Sequence, residues 1–314
     1  MSAGRSVLVV GRSGQLAEAL LPALRAAGFE AVAMGRPDLD LRDGDSVQAA
    51  VRRTRPALVV NAAAWTAVDR AEDEPWPAEA LNAGGPAILA DASRAWGAAM
   101  VQVSTDYVFD GRKGAPYTER DNPAPRSIYG ASKLAGEYAV RQANPRSVVL
   151  RTSWLCSATG HNFLRTVLRL ASEREELRVV ADQLGAPTFA DDLAVAIATM
   201  APSLIAAEAG STRFGVFHLA GAPHTSWHGF AEAILRGAAA RGHRAPKLTA
   251  ITTAEYPTPA TRPADSRLDC TRIADVHGIA APDWRVALDR ALDTLVGPTL
   301  APQPARQSKE GISA

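Results

Sequence analysis

Short runs of apolar residues alternate with stretches of helical periodicity through the first half of the chain. Predicted strands cover residues 6–11, 29–35, 57–64, 99–109 and 147–155. The helices predicted between them cover residues 15–28, 45–56, 79–97 and 128–143. Strands that are apolar throughout are buried on both faces, and strands that alternate with helices run parallel. The pattern therefore predicts an α/β fold with a doubly wound parallel sheet.

The second half of the chain has a looser pattern. Helices are predicted over residues 161–175, 189–202, 226–242 and 284–296, and Pro202 is expected to end the second of them. Strand character appears at residues 177–183 and 215–221, and residues 298–314 lack periodicity. We expect a smaller α/β region here, some segments that return to the first sheet, and a disordered C-terminal tail.

Composition excludes several classes of protein. The 314 residues carry a net charge of about +1, so no basic field indicates nucleic acid or a membrane surface. Two cysteines give neither a disulfide framework nor a metal-binding spacing. The N-terminus lacks the features of a signal peptide, and no apolar run is long enough to span a bilayer. These properties predict a cytoplasmic protein that binds neither nucleic acid nor membranes.

The turn after the first predicted strand reads GRSGQLA, residues 11–17. Gly11 and Gly14 would let the backbone approach a diphosphate at the N-terminus of the following helix. Ala17 supplies the small residue that allows close packing of helix and strand. This position, at the first β-to-α turn, predicts a Rossmann-type dinucleotide site.

The end of the second predicted strand bears on the choice of cofactor. An acidic residue there would bind the ribose 2′-hydroxyl of NAD, whereas this chain has Gly35 followed by Arg36. Arginine can pair with a 2′-phosphate, and Arg12 could assist it. We therefore expect NADPH as the cofactor. The alternative is NADH, and Arg36 would then be an exposed arginine with no role in cofactor binding. Asp40 and Leu41 follow and could face the adenine ring.

A tyrosine and a lysine lie four residues apart in the predicted helix that begins near residue 128. Tyr129 and Lys133 would project from one face of that helix. A nearby ammonium favours a phenolate, so Tyr129 could give a proton to a ketone oxygen as hydride reaches the carbon. Ser104 or Thr105, at the end of the fourth strand, could hydrogen-bond to the same oxygen.

These features predict three parts of the chain. Residues 1–156 would form an NADP(H)-binding Rossmann domain that carries the catalytic residues. Residues 157–297 would be mainly a substrate-binding region, and residues 298–314 would be the tail. Arg262, in a proline-rich loop, is a candidate for a diphosphate or nucleotide contact, and a loop-stabilising arginine is the alternative. His224 and His228 lie four apart without a third ligand, so no metal site is predicted.

The glycine loop, the Ser-Thr strand end and the Tyr-x-x-x-Lys pair resemble the extended short-chain dehydrogenase/reductases. Longer strings resemble one family more closely, the dTDP-4-dehydrorhamnose reductases. They include VVNAAAWTAVDRAEDEP, STDYVFDG, YGASKLAGE, LRTSWL and YPTPATRPADSRLD. The resemblance runs from about residue 7 to residue 296.

The resemblance implies NADPH-dependent reduction of the C4 ketone of a dTDP-4-dehydro-6-deoxy-L-hexose, in the rhamnose pathway dTDP-4-dehydro-β-L-rhamnose. Tyr129 would donate the proton, Lys133 would activate it, and Thr105 would bind the carbonyl oxygen. The expected substrate contacts are Thr105, Asp106, Tyr107, Trp154, Val68 and Arg262. The expected cofactor contacts are Gly11, Ser13, Gly14, Gln15, Leu16, Arg36, Asp40, Leu41, Ala62, Ala63, Ala64, Thr66, Ser104, Tyr129 and Lys133. The expected oligomeric state is a monomer or a homodimer.

Two positions depart from the family pattern, and three alternatives stay open. Ala17 replaces the usual loop glycine, and Trp65 replaces a frequent histidine near the nicotinamide, which bears on sugar selectivity. A dehydratase or epimerase is one alternative, although dehydratases have an acidic pair where this chain has Asp106 and Tyr107. A reductase for another deoxysugar, such as dTDP-dihydrostreptose, is the second. A non-catalytic, cofactor-binding regulatory subunit is the third.

Overall fold

A six-stranded parallel sheet forms the centre of the computed structural model, which describes residues 5–298. Its strands are β1 (Ser6–Val10), β2 (Glu30–Met34), β3 (Leu58–Asn61), β4 (Ala99–Thr105), β5 (Ser147–Thr152) and β10 (Gly215–His218), in the spatial order β10-β5-β4-β3-β1-β2. All five neighbouring pairs are parallel. The predicted doubly wound parallel sheet is therefore confirmed, including the return of a late segment to this sheet.

Helices cover both faces of the sheet. In the first half these are α1 (Gln15–Ala26), α2 (Gly44–Thr54), α3 (Val68–Asp73), α4 (Pro75–Glu79), α5 (Gly85–Ala95) and α6 (Ile128–Ala143). One hydrophobic core lies between the sheet, α1 and the later helix α8 (Ala190–Ala206). The other lies between the sheet, α2 and α5. Each apolar strand thus buries both of its faces, as its sequence predicts.

The remaining elements form a smaller α/β region. Its helices are α7 (Phe163–Glu173), α9 (Trp227–Ala239) and α11 (Trp284–Val296), and α10 (Thr271–His277) packs on the large sheet instead. Its strands are β6 (Leu155–Cys156), β7 (Glu176–Val180), β8 (Leu184–Gly185), β9 (Thr188–Phe189), β11 (Thr225–Ser226) and β12 (Lys247–Ile251). A separate hydrophobic core joins them. The predicted division of the chain at residue 156 stays a prediction, and the predicted tail lies outside the described residues, except for Pro298.

Several predicted boundaries are wrong, for physical reasons. Helix α8 continues past Pro202 to Ala206, because residues beyond the proline, such as Leu204, are buried in the core. The predicted strand at residues 99–109 ends at Thr105, where a 3₁₀ turn (Asp106–Val108) redirects the chain. The short helices α3, α4 and α10 and the strand β12 were not predicted.

The sheet positions a binding site at one edge. Strand order reverses between β1 and β3, because β2 lies on one side of β1 and β3 lies on the other. In open parallel sheets, ligands bind outside the carboxyl ends of the strands at such a reversal. The glycine loop after β1 and the small residues after β3 both lie at this edge.

Candidate active site

The turns after β1 and β3 are in contact. Gly11 has a φ of 120°, a conformation that side-chain-bearing residues rarely adopt. A Cβ on Gly11 would lie 3.4 Å from the backbone of Ala62 and Ala63. Beyond it, α1 begins after the extended Gly14, and none of the described side chains caps the first turn. The open N–H groups and the helix dipole therefore favour an anion here.

Two arginines lie near the end of β2. Arg36 is exposed at this end. Gly35 lies against Arg12 of the glycine loop, since a Cβ on Gly35 would be 3.1 Å from the Arg12 Cβ. Arg12 Nη1 is 3.3 Å from Asp38 Oδ2 in an exposed pair. This corner can thus present two guanidinium groups to a phosphate, which fits the 2′-phosphate of NADPH better than a ribose hydroxyl.

Three expected cofactor contacts have other partners. Arg42 binds both carboxylate oxygens of Asp40, and these hydrogen bonds lower the pKa of Asp40 to about 2. Leu16 and Leu41 are each 3% exposed and pack in the two cores. The expected cofactor contacts of Leu16, Asp40 and Leu41 stay predictions. The other expected residues on this loop and after β3 are half-buried or exposed, namely Ser13, Ala62, Ala63, Ala64 and Thr66.

Helix α6 carries the catalytic candidates at its N-terminus. Ser127 caps the helix by accepting a hydrogen bond from the Gly130 N–H at 3.1 Å. Gly130 has no room for a side chain, since a Cβ would lie 2.2 Å from the Tyr107 carbonyl oxygen. This close approach brings Tyr129 against Tyr107, with the ring centroids 5.6 Å apart in an edge-to-face arrangement. The glycine after Tyr129 thus allows the helix to meet the turn that follows β4.

Lys133 lies one helical turn beyond Tyr129 and is 4% exposed. Its Nζ donates a hydrogen bond to the Val103 carbonyl oxygen of β4 at 2.7 Å. Burial lowers the pKa of Lys133 to about 8, and the carboxylate of Glu137 opposes this change. Lys133 therefore lies on the same helix as Tyr129, as predicted, and it also bonds directly to the sheet.

Thr105 ends β4 beside the phenol of Tyr129. Its hydroxyl bonds to Asp106 Oδ1 at 3.1 Å and accepts from the Tyr107 N–H at 3.2 Å. The side chain also lies near the Tyr129 phenol and acts to lower its pKa. Thr105 is therefore placed where a carbonyl oxygen that contacts the Tyr129 hydroxyl would also meet a second polar group.

The Tyr129 phenol is a weaker acid than the sequence suggested. Burial raises the pKa of Tyr129 to about 12, the nearby Thr105 side chain opposes the rise, and Asp106 adds to it. Lys133, which was expected to lower this pKa, is not among the groups that shift it, and its Nζ bonds to the Val103 carbonyl. A phenol with this pKa is protonated at neutral pH. That is the state required of a proton donor.

Ser104 does not face the expected carbonyl contact. It is 3% exposed, and its hydroxyl donates to Glu137 Oε1 at 2.5 Å. Arg151 of β5 binds the same carboxylate through Nε at 3.0 Å and Nη2 at 2.7 Å. Sequence reasoning missed this network. Two signals were available: Glu137 lies four residues after Lys133, and Arg151 is a charged residue in an otherwise apolar strand.

Asn82 was also missed. It lies in a π-helical turn (Ala80–Gly84) between α4 and α5. Its side chain accepts from the Trp65 N–H at 2.8 Å and donates to the Trp65 carbonyl at 3.1 Å and to Ser132 Oγ at 3.0 Å. The loop after β3 is thereby connected to the catalytic helix. The π-turn that places Asn82 has no pattern in the sequence that could have predicted it.

Trp154 connects the two regions of the protein. It has a φ of 46°, unusual for a residue with a side chain. Its indole stacks on Trp227 with centroids 3.7 Å apart, and Trp227 packs against Phe163. The half-buried Trp154 thus belongs to an aromatic group that can form an apolar wall. Its expected contact with a sugar stays a prediction.

Arg262 is paired within the protein. Its Nη1 and Nη2 each lie 2.8 Å from a carboxylate oxygen of Asp69, and the Ala260 N–H also donates to Asp69 Oδ1. The pair ties α3, which begins at the half-buried Val68, to the proline-rich loop. This pairing is the one expected if Arg262 stabilises the loop, which is the alternative interpretation of this residue. A diphosphate contact by Arg262 stays a prediction.

Gln15 links the glycine loop to the second region. Its Oε1 accepts from Ser157 Oγ at 3.1 Å and from Asn162 Nδ2 at 2.8 Å. Asn162 also caps α7 by accepting from the Arg165 N–H. The expected cofactor loop is therefore held by the segment between β6 and α7.

Asp106 has a buried carboxyl group beside the catalytic candidates. It is 1% exposed, and its Oδ2 has no hydrogen-bond partner among the described residues. Burial raises the pKa of Asp106 to about 6, and the hydrogen bond from Thr105 opposes the rise. The site therefore holds a buried carboxyl group with a raised pKa.

Replacing Asp106 with asparagine should stabilise the protein relative to the native chain as the pH rises from about 4 to about 7. The folded-state pKa of Asp106 is raised, so its stabilising contribution is full below about pH 4 and is lost as the pH rises through about 6. Two pKa units correspond to roughly 3 kcal/mol of unfolding free energy. Urea denaturation of both proteins across this range measures the difference.

Asp110→Asn is the matched control, because a hydrogen bond from Tyr117 lowers the pKa of Asp110. Its pH trend should have the opposite sign. If the difference in unfolding free energy between Asp106→Asn and the native protein stays constant with pH, the Asp106 carboxyl group does not have a raised pKa.

Among residues 5–298, no helix is long and apolar enough to cross a membrane. Within the same range, no group of three or more His, Cys, Asp or Glu side chains could hold a metal ion.

Comparison with known proteins identifies the family. The model of the RmlD substrate binding domain family matches residues 5–296. A dTDP-4-dehydrorhamnose reductase of Sinorhizobium fredii is 44% identical over 288 residues, which cover 92% of this chain and 97% of that protein. A protein of the same name from Streptomyces griseus is 41% identical over 298 residues, covering 95% and 96% of the two chains.

A solved structure gives the same result. The dTDP-4-dehydrorhamnose reductase of Bacillus anthracis, determined in complex with NADP, superposes with a TM-score of 0.85 at 34% identity and covers 92% of this chain and 99% of that chain. The glycine loop, the arginine corner and the Thr105, Tyr129 and Lys133 cluster lie in a fold shared along nearly the whole chain. The chain therefore belongs to the dTDP-4-dehydrorhamnose reductase family.

Proposed function

We propose that this protein is an NADPH-dependent reductase that converts dTDP-4-dehydro-β-L-rhamnose to dTDP-β-L-rhamnose. The observation that carries the proposal is the cluster of Thr105, Tyr129 and Lys133 at the carboxyl edge of the sheet. Membership of the family supports it, because relatives that match over nearly their full length have the name of this activity.

The residues present fit the cofactor. The open first turn of α1 and the turn at Gly11 suit its diphosphate, and Arg12 and Arg36 suit its 2′-phosphate. The small residues after β3 would lie along its nicotinamide end. When bound, NADPH supplies the hydride that reduces the ketone carbon. Lys133 would contact its ribose.

The side chains of the protein would complete the reduction at the oxygen atom. Thr105 would hold the carbonyl oxygen by a hydrogen bond, and Tyr129 Oη would transfer its proton to that oxygen as negative charge develops there. An alkoxide is more basic than a phenolate, so the transfer is downhill even though the pKa of Tyr129 is about 12. Lys133, as an ammonium, would stabilise the phenolate that remains.

The sugar would lie against Trp154, Tyr107 and Val68. The family resemblance supports these contacts, as does the position of Trp154 after β5, next to the strand that carries Thr105. The turn at Asp106 and Tyr107 lacks the acidic pair of the dehydratases, which favours reduction over elimination. Trp65, held by Asn82 and by a bond from its Nε1 to the Ala67 carbonyl, gives this chain its own pocket wall.

The purified protein should oxidise NADPH when dTDP-4-dehydrorhamnose is added, as measured by the loss of NADPH absorbance. Parallel reactions with other dTDP-linked 4-keto sugars test for a different deoxysugar. Tight NADPH binding without oxidation in any of these reactions would contradict the proposal and favour a non-catalytic, cofactor-binding protein.

A further inference from the structure

Glu137 is the centre of a buried hydrogen-bond network beside Lys133. The residue is 2% exposed and accepts four hydrogen bonds, one from Ser104 Oγ at 2.5 Å and three from Arg151, through Nε at 3.0 and 3.2 Å and through Nη2 at 2.7 Å. Arg151 is itself 3% exposed. Burying an ion pair is costly, so a pair at this position indicates a role other than stability alone.

Three consecutive residues of β4 contact α6. The Val103 carbonyl accepts from Lys133 Nζ, the Ser104 hydroxyl donates to Glu137, and Thr105 lies beside Tyr129. Of the α6 residues that contact β4, Glu137 also contacts β5, because it binds Arg151. It therefore fixes the register of α6 against two strands, at the level where Thr105 meets the phenol.

Glu137 is also the anion shared by two buried cations. Lys133 lies one turn before it on the same face of α6, and Arg151 binds it from β5. Without the Glu137 charge, the Lys133 ammonium would be buried with no nearby carboxylate on α6. Its desolvation would then be unopposed and would favour loss of the Lys133 proton.

Other titratable groups lie near this network. Asp106 lies on the turn after β4 and faces Tyr129, and Glu72 of α3 accepts from the Ile128 N–H at the start of α6 at 2.8 Å. Beyond Arg151, His218 of β10 lies 3.4 Å from Arg151 Nη1, and burial keeps it neutral by lowering its pKa to about 3. Glu137 is the carboxylate that acts directly on the pKa of Lys133.

We propose that Glu137 is a positioning residue of this enzyme, which keeps Lys133 protonated in its buried site and holds the catalytic helix against β4. The inference rests on the proposed reductase function for its kinetic consequence. The effect of Glu137 on the protonation of Lys133 concerns the protein alone and can be measured without substrate. The inference about Glu137 and the proposed reductase function can therefore fail separately.

Lysine titration tests the electrostatic part directly. The chain has four lysines, Lys113, Lys133, Lys247 and Lys309, so a protein labelled at lysine Cε gives few NMR signals. The Lys133→Arg variant assigns the signal of Lys133. We expect Lys133 to titrate near pH 8 in the native protein and at least about one pH unit lower in Glu137→Gln, which keeps the shape but removes the charge.

Enzyme kinetics test the consequence. In Glu137→Gln, the alkaline limb of the kcat profile should move to lower pH by the same amount as the Lys133 titration. A purely structural role would lower the amount of active enzyme at all pH values without moving the limb. If the native protein turns over no substrate, the proposed function fails while the titration result still stands.

A second variant is needed because Glu137→Gln leaves the Arg151 guanidinium buried without its carboxylate partner, which can unfold the protein. Glu137→Gln/Arg151→Met removes both charges and should show the same downward shift. Asp293→Asn is the control, because it weakens an ion pair of another buried arginine, Arg241, with an exposed carboxylate far along the chain from the site. It should lower the melting temperature without moving the Lys133 titration. A Lys133 titration unchanged from native in the folded double variant would overturn the inference.

Discussion

Replacing Tyr129 with phenylalanine should reduce kcat by about 10²–10⁴-fold, the range over which general acid catalysis acts. The phenol is the proton donor of the proposed reaction, and its raised pKa keeps it protonated at neutral pH. Removing only the hydroxyl leaves the ring in its edge-to-face contact with Tyr107. The affinity for NADPH should therefore change little, because the lost interaction belongs to the transition state.

Tyr138→Phe is the matched control for this experiment. Tyr138 lies on the same helix but is 55% exposed. Its loss should leave turnover unchanged. Steady-state kinetics and NADPH titration of the two variants separate the effects on kcat and on binding. Turnover near the native level in Tyr129→Phe would remove Tyr129 from the role of proton donor.

Replacing Arg36 with aspartate should lower the ratio of kcat/KM for NADPH to kcat/KM for NADH by about 10²-fold. A charge-assisted hydrogen bond contributes about 1.5–3 kcal/mol, and a factor of ten corresponds to about 1.4 kcal/mol. Aspartate would also repel the 2′-phosphate and accept a bond from the ribose hydroxyl of NADH. Arg12 remains at the corner, so some preference for NADPH should persist.

Arg25→Asp controls for the change in net charge. Arg25 lies in the last turn of α1, about ten residues and so roughly 15 Å along the helix from the glycine loop. Its replacement should leave the cofactor ratio near the native value. If Arg36→Asp also leaves the ratio unchanged, the arginine corner does not recognise the 2′-phosphate.

The sheet was predictable because each of its first five strands is an apolar run bounded by a helix. Such a run has one favourable environment, the interior of a parallel sheet. The details depend on contacts that a local pattern does not contain. Pro202 fits a helix end by its chemistry, yet the packing of Leu204 in the core extends α8 beyond it.

The catalytic pair was predictable because Tyr129 and Lys133 are neighbours on one helix. Their environment was not, because it is formed by β4 and β5, which are distant in sequence. The direction of the Tyr129 pKa follows from burial and from Asp106, so the local Tyr–Lys spacing suggested the wrong sign. The pairing of Arg262 with Asp69 joins residues 193 positions apart and could not be inferred from either segment.

Isotope transfer tests the central claim most directly. Dehydrorhamnose linked to dTDP would be incubated with the protein and with NADPH that carries deuterium at the transferring position of the nicotinamide. The sugar product would then be analysed by NMR. The account predicts one deuterium at C4 of a dTDP-rhamnose product, with no product formed at an appreciable rate by Tyr129→Phe. Deuterium at another carbon, or a product without deuterium, would contradict it.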